Sequence, residues 1–156
     1  MSELQGGSKE RSLRAWKQAK EYASQITSNI DIRKLFPLLL ASLYWAEGSK
    51  SAFVFTNTDA RMIKIFLMVL RDFFYIEEDR FQVLIRINES TSSRTCVAYW
   101  RDITNLPLKN IKTNINAKQN RTNAQHGICR ITLKKGGNML KLTQSLISAM
   151  VSRTEK

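Results

Sequence analysis

The sequence predicts one α+β domain, a mixture of helices and strands, that follows a basic helical extension. Three observations predict this class. The stretch 35–50 is apolar over a helical length, the stretch 80–89 alternates apolar and polar residues, and the stretch 60–74 repeats apolar residues at helical spacing. With 156 residues and 43% hydrophobic content, the chain is long enough for one sizeable core. We expect the extension to cover residues 1–30 and the domain residues 31–156.

The charge balance indicates a polyanionic partner. Lys and Arg number 25 against 13 acids, so the formal net charge is +12. A membrane surface is the competing partner, but the sequence has no anchoring or lipidation pattern, and we expect no membrane contact. The N-terminus is polar, and the two cysteines, Cys96 and Cys129, lie far apart in sequence. These features predict a cytoplasmic protein without disulfides, and no small-molecule cofactor is indicated.

The sequence of the extension predicts a helix from about Lys9 to Thr27, with Ser8 as its cap. One side is apolar and comprises Leu13, Trp16, Ala19, Ala23 and Ile26. The other side carries Lys9, Arg11, Arg14, Lys17 and Lys20. Two interpretations of these cations stay open, a solvated helix face or a helix that contacts phosphates.

The stretch LFPLLLASLYWAEGSK, residues 35–50, predicts a helix that is apolar on all sides and therefore buried. Asp31 is a candidate cap, Pro37 fits the first turn, and Gly48 is expected to end the helix in the left-handed conformation. Glu47 then lies at the helix C-terminus, where the helix dipole favours cations. A bound divalent cation is one way to compensate this carboxylate.

The remaining elements follow in order. A strand is expected at 51–56 and a helix at about 60–74, capped by the turn 57–59, with an inner face of Met62, Ile65, Phe66, Val69, Leu70 and Phe73. A half-exposed strand at 80–89 should direct Phe81, Val83, Ile85 and Ile87 inward. A third helix should begin at Ser92 or Ser93 and end near Asn105. The last helix should run from Asn138 to about Ser152.

The stretch 109–135 is the strongest sequence signal for a partner. It contains no acid and seven cations: Lys109, Lys112, Lys118, Arg121, Arg130, Lys134 and Lys135. Two strands, 111–117 and 127–134, are expected to pair as a hairpin, with Arg130, Thr132 and Lys134 on one face. Such a ribbon suits the major groove of DNA, and the many amides between Asn114 and Gln125 are of the type that reads adenine. Lys50 and Arg86 complete the predicted DNA-binding set.

Residues 40–48, LASLYWAEG, resemble the LAGLIDADG motif of homing endonucleases, although Tyr44 and Trp45 depart from the usual pattern. The resemblance implies a concave antiparallel sheet with helices on one face and the motif helix at a dimer interface. It implies that Glu47, with backbone oxygen from Ala46, holds the catalytic Mg²⁺ or Mn²⁺. The segment PLKNIK at 107–112 is similar to one that supplies a lysine around the family's active site, here Lys112.

The single copy of the motif implies a homodimer, and the small residues Ala41 and Ser42 suit close approach of two helices. The expected function is a site-specific DNA endonuclease that cuts both strands. One alternative is a regulator that binds DNA and has lost cleavage. Another is an RNA-binding or RNA-splicing protein on the same scaffold, which the expected burial of Phe53, Phe55 and Phe81 disfavours because single strands stack on exposed aromatics.

Overall fold

The computed structural model describes residues 3–115 and 124–155 and confirms the α+β class. Its helices and strands are α1 (Glu3–Ser28), α2 (Phe36–Glu47), β1 (Val54–Asn57), α3 (Ala60–Asp72), β2 (Phe81–Ile87), α4 (Ser93–Thr104), β3 (Ile111–Ile115), β4 (Ile128–Leu133) and α5 (Gly137–Thr154). No helix in these described ranges has the length and apolar character needed to cross a membrane.

The chain divides into two units, residues 1–34 and 35–156. The first unit consists mainly of α1, which begins at Glu3. Ser8 therefore lies within the helix, and its prediction as the cap is wrong. Its large apolar side chains are exposed, with Leu13, Trp16 and Ile26 all more than half accessible to solvent. The second unit contains the sheet and the other four helices, and is described below by itself.

The four strands form one sheet in the order β1-β4-β2-β3. The β1–β4 and β4–β2 pairs are antiparallel, but the β2–β3 pair is parallel. The expected all-antiparallel sheet and the expected 111–134 hairpin are therefore wrong. The reason is that α4 connects β2 to β3, and a helical crossover is the connection that parallel neighbours require. With β3 on one side of β2, β4 pairs with the other side.

The core lies between the sheet and the helices of the second unit. The inward positions of β2 are as predicted, since Phe81, Val83, Ile85 and Ile87 are all buried. On α3 the predicted inner face is only partly correct. Ile63 and Leu67 are buried, whereas Ile65 and Phe73 are exposed. Two of the predicted caps are confirmed, because Asp59 accepts a hydrogen bond from the Arg61 N–H and Ser92 accepts one from the Thr95 N–H. The prediction of Asp31 as the cap of α2 is wrong, since the residue before that helix is Leu35 and makes no side-chain hydrogen bond.

Helix α2 has two different sides, which corrects the prediction of burial all round. Phe36, Leu40, Ala41 and Tyr44 are buried against the domain. Leu38, Ser42 and Trp45 are exposed, and Trp45 reaches 59% accessibility. An apolar residue composition alone cannot separate these two sides, because both are equally hydrophobic.

Gly48 follows α2 in an extended conformation, with φ −82° and ψ 153°, so the expected left-handed cap is wrong. Glycine is required at this position for a different reason, which is the space available beside Tyr44. A Cβ on Gly48 would overlap the carbonyl oxygen of Tyr44 and lie 2.5 Å from its ring carbon Cδ1. Gly48 also donates its N–H to the Tyr44 carbonyl at 2.7 Å and forms an isolated antiparallel bridge with Phe55. Close packing on Tyr44 therefore requires glycine here.

Candidate nucleic-acid interface

One face of the sheet packs on helices and the other is open. The register places Thr56, Arg130, Leu84 and Lys112 side by side in a single row across all four strands of the open face. These four side chains are exposed or half-buried, whereas their neighbours along β2 and β4 are buried on the helix face. The predicted two-sided alternation of β4 is confirmed, with Arg130 and Thr132 outward and Cys129 and Ile131 inward.

Two more rows complete the open face. Gln82 lies opposite Thr132 on one side of the central row. On the other side Arg86 lies opposite Ile128 and is paired in register with Asn114 of β3. The strand residues of this face, in the described part of the chain, include three cations and no acid. None of the three, Arg86, Lys112 and Arg130, forms a salt bridge among the described residues.

The sequence signal had not indicated Asn110, which is buried in the 3₁₀ turn Leu108–Asn110 before β3. Its side-chain amide donates hydrogen bonds to the carbonyls of Glu78 at 2.8 Å and Phe81 at 2.9 Å. These bonds fix the turn against the start of β2 and thereby hold Lys109 at the margin of the open face. Asn110 therefore positions Lys109, whereas Lys112 is positioned by the pairing of β3 with β2.

The other predicted DNA-binding residues have different positions. Lys134 is exposed just beyond β4, where its Nζ donates to the Asp79 carbonyl at 2.9 Å. Lys135 is exposed in a turn with a positive φ of 53°. Lys50 is exposed after α2, near β1 rather than β3. Lys118 and Arg121 lie outside the described residues, as do the amides from Asn116 to Asn123.

Glu47 is the last residue of α2 and is exposed. The segment after it is organised by Tyr44, whose buried hydroxyl lies 2.7 Å from the Ser49 carbonyl and 2.8 Å from the Ala52 carbonyl. The same oxygen accepts the N–H of Val54 at 3.2 Å, and the ring stacks on Phe53 with centroids 4.7 Å apart. Burial raises the pKa of the Tyr44 phenol, which therefore stays protonated and able to donate. Tyr44 thus fixes the chain beside Glu47.

Glu47 and Lys112 are not brought together within one chain. Gly48 bridges to β1, whereas Lys112 is on β3, three strands away, so about 14 Å of sheet separates the two strands. Among the described residues, no group of three or more His, Cys, Asp or Glu side chains could hold a metal ion.

The aromatic residues of the sheet region are not available for stacking on bases. Phe53, Phe55 and Phe81 are buried, as the sequence suggested. The free cysteines Cys96 and Cys129 are also buried, and burial raises the pKa of both thiols, which disfavours the nucleophilic thiolate form.

The fold and site together define an α+β protein whose sheet carries helices on one face and an open, basic face on the other. Comparisons of the chain with protein-family models, with curated proteins and with solved structures each gave no significant match.

Proposed function

We propose that the protein is a DNA endonuclease that binds duplex DNA on the open sheet face and works as a homodimer. The observation that carries the DNA contact is the three-strand set of outward cations Arg86, Lys112 and Arg130 without an acid beside them on the face. Polyanion binding relieves the repulsion within such a set. Neighbouring amides and hydroxyls, such as Gln82, Asn114 and Thr132, add the neutral hydrogen-bonding groups that contact DNA bases and backbone.

The homodimer is supported by the exposed side of α2. Leu38, Ser42, Trp45 and Ala46 lie on that side, at helical spacing, and the two small residues among them permit close approach of a second helix. Ala41, which the sequence suggested for this role, is fully buried within its own chain. Ala46, which is exposed, is the small residue beside Ser42 on this side. An apolar groove of about 420 Å³ continues this surface from Leu38 to Leu146 and Met150 of α5.

The cleavage step is proposed from Glu47 and the resemblance of its helix to the LAGLIDADG motif. Glu47 and the backbone oxygen of Ala46 would hold Mg²⁺ or Mn²⁺ together with a DNA phosphate. Such a cation polarises the phosphodiester and lowers the pKa of a bound water. Tyr44 would orient the segment that carries Glu47, and a second copy of the chain would supply the second Glu47 for the opposite strand.

A regulator that binds DNA without cutting it is the second candidate. It is favoured by the distance across the sheet between Glu47 and Lys112, which leaves Glu47 without a nearby lysine of its own chain. Both candidates share the open face as the DNA contact, so DNA binding alone does not separate them.

The test begins with selection of tightly bound duplexes from a randomised library, followed by incubation with Mg²⁺ and scoring of double-strand breaks. Glu47→Gln should abolish cleavage and retain or improve DNA affinity, because it removes a negative charge. The matched control is Glu77→Gln, which changes an exposed acid by the same charge. Selective binding without cleavage by the unchanged protein would leave the regulator, and failure to enrich any duplex would overturn both candidates.

Binding by the sheet is tested separately with Arg86→Ala combined with Arg130→Ala, two of the three cations of the open face. If each cation contacts its own phosphate, the salt dependence of log K should become shallower by roughly two units. The control is Lys64→Ala combined with Lys141→Ala, which removes two exposed lysines from helices of the opposite layer. An equal change in both double variants would show that net charge, and not the open face, sets the affinity.

A further inference from the structure

We propose that the open face contains a pocket for a single phosphate group, formed where β4, β2 and the turn before β3 meet. The inference rests on the proposed DNA binding and specifies how one backbone phosphate is held. The phosphate pocket has a volume of about 230 Å³ and is lined mainly by Gln82, Leu84, Lys109, Lys112, Arg130 and Thr132.

Three cations surround this pocket from three directions. Lys112 and Arg130 are paired in register with Leu84 from its two opposite neighbours, so their Cα atoms lie about 10 Å apart with Leu84 between them. Both side chains are long enough to bend over Leu84 toward a common point. Lys109 approaches from the 3₁₀ turn, which the two hydrogen bonds of Asn110 hold in place.

The charges of the pocket are not compensated by the protein. None of its lining residues is an acid. Gln82 and Thr132 add neutral hydrogen-bond donors to the lining, and the guanidinium of Arg130 can bind two oxygens of one phosphate. Three like charges around one concavity repel each other when it is empty of anions, and a bound phosphate reverses that repulsion.

The size of the pocket favours one phosphate with its sugar over a larger ligand. Sites for drug-sized molecules and cofactors span about 300–1,000 Å³, and this pocket is smaller. A flat basic face would contact several phosphates with separate cations. The phosphate pocket instead directs three cations at one phosphate, which would fix the register of the DNA on the sheet.

The two arrangements differ in how the salt dependence responds to substitution. The slope of log K against log salt counts the phosphates neutralised, at about 0.9 for each in duplex DNA. If Lys109, Lys112 and Arg130 share one phosphate, their combined replacement by alanine should make the slope shallower by about one unit. Lys112→Gln alone should lower it by no more than that. If each cation has its own phosphate, the triple variant should lose about three units, and this result would overturn the pocket.

The matched control is Lys64→Ala, a single exposed lysine on α3 in the helix layer. Its slope should remain within the error of the unchanged protein, because it contacts no phosphate. A triple variant whose slope equals that of the unchanged protein would likewise overturn the proposal. Thermal unfolding of each variant checks that the exposed substitutions leave the fold intact.

A titration with inorganic phosphate, monitored by the NMR shifts of backbone amides, tests whether the pocket binds a phosphate of the DNA backbone or a free phosphate group. Leu84 and Thr132 line the pocket and are kept in the triple variant. Shifts of their amides that saturate in the unchanged protein and vanish in the triple variant support the pocket, and duplex DNA should compete with inorganic phosphate if the DNA backbone is the natural source of the phosphate. If no duplex binds but phosphate does, the DNA function fails and the pocket remains as a site for a free phosphate group. If neither binds, the pocket is refuted.

Discussion

Replacement of Gly48 tests the packing that holds the end of α2. In Gly48→Ala, the new Cβ would collide with the carbonyl oxygen and ring of Tyr44, and neither is the flexible end of a side chain. Overpacking of this type costs about 1–3 kcal/mol of unfolding free energy. For a chain of this length, each kcal/mol corresponds to a decrease in Tm of about 2–4 °C, so we expect a loss of roughly 2–12 °C.

The assay is denaturant unfolding at equilibrium, with the midpoint read at an unchanged m-value. Gly137→Ala is the matched control, because a Cβ at Gly137, the first residue of α5, has nothing within 4 Å. That control should be neutral or stabilising by up to about 1 kcal/mol, since it removes only the flexibility of the unfolded chain.

Gly48→Asn distinguishes the two explanations for the glycine. A left-handed cap tolerates asparagine nearly as well as glycine. Here the backbone is extended and the constraint is the contact with Tyr44, so asparagine, which also adds a Cβ, should be at least as damaging as alanine. Equal stability of Gly48→Asn and the unchanged protein, or equal effects of Gly48→Ala and Gly137→Ala, would refute the argument from close packing.

Three further predictions concern other parts of the domain. Tyr44→Phe should lower the unfolding free energy by about 1–3 kcal/mol, because the N–H of Val54 loses its partner, and equilibrium unfolding measures this. The side chain and N–H of Arg61 hold the pKa of Asp59 at about 2, below the ordinary 3.8. The stability that this lowered pKa contributes is present above pH 3.8 and is lost as the pH falls toward 2. In Asp59→Asn, the free energy of unfolding should therefore depend less on pH within this window. Ser42→Trp should separate the proposed homodimer, which light scattering of unchanged and variant protein checks; a monomeric unchanged protein, with and without DNA, would contradict the homodimer.

The sequence predicted the elements whose signals are local. The alternation from Phe81 to Ile87 identified the inward side of β2, because successive strand residues point to opposite faces. The caps Asp59 and Ser92 were visible because their side chains bond to N–H groups only two or three residues away. The outward positions of Arg130 and Thr132 on β4 and of Arg86 on β2 followed from the same alternation.

Strand partners, and the sites that depend on them, were decided only by the tertiary structure. The sequence alone suggested that β3 and β4 pair, but β2 lies between them. Local patterns could not show this, because several distant strands with similar alternation are possible hydrogen-bond partners. That insertion places Leu84 between Lys112 and Arg130 and so forms the phosphate pocket. It also places Lys112 far from Glu47. The two sides of α2 have equal hydrophobicity, and which one is covered depends on where α3 and α5 pack, a contact that no local periodicity encodes.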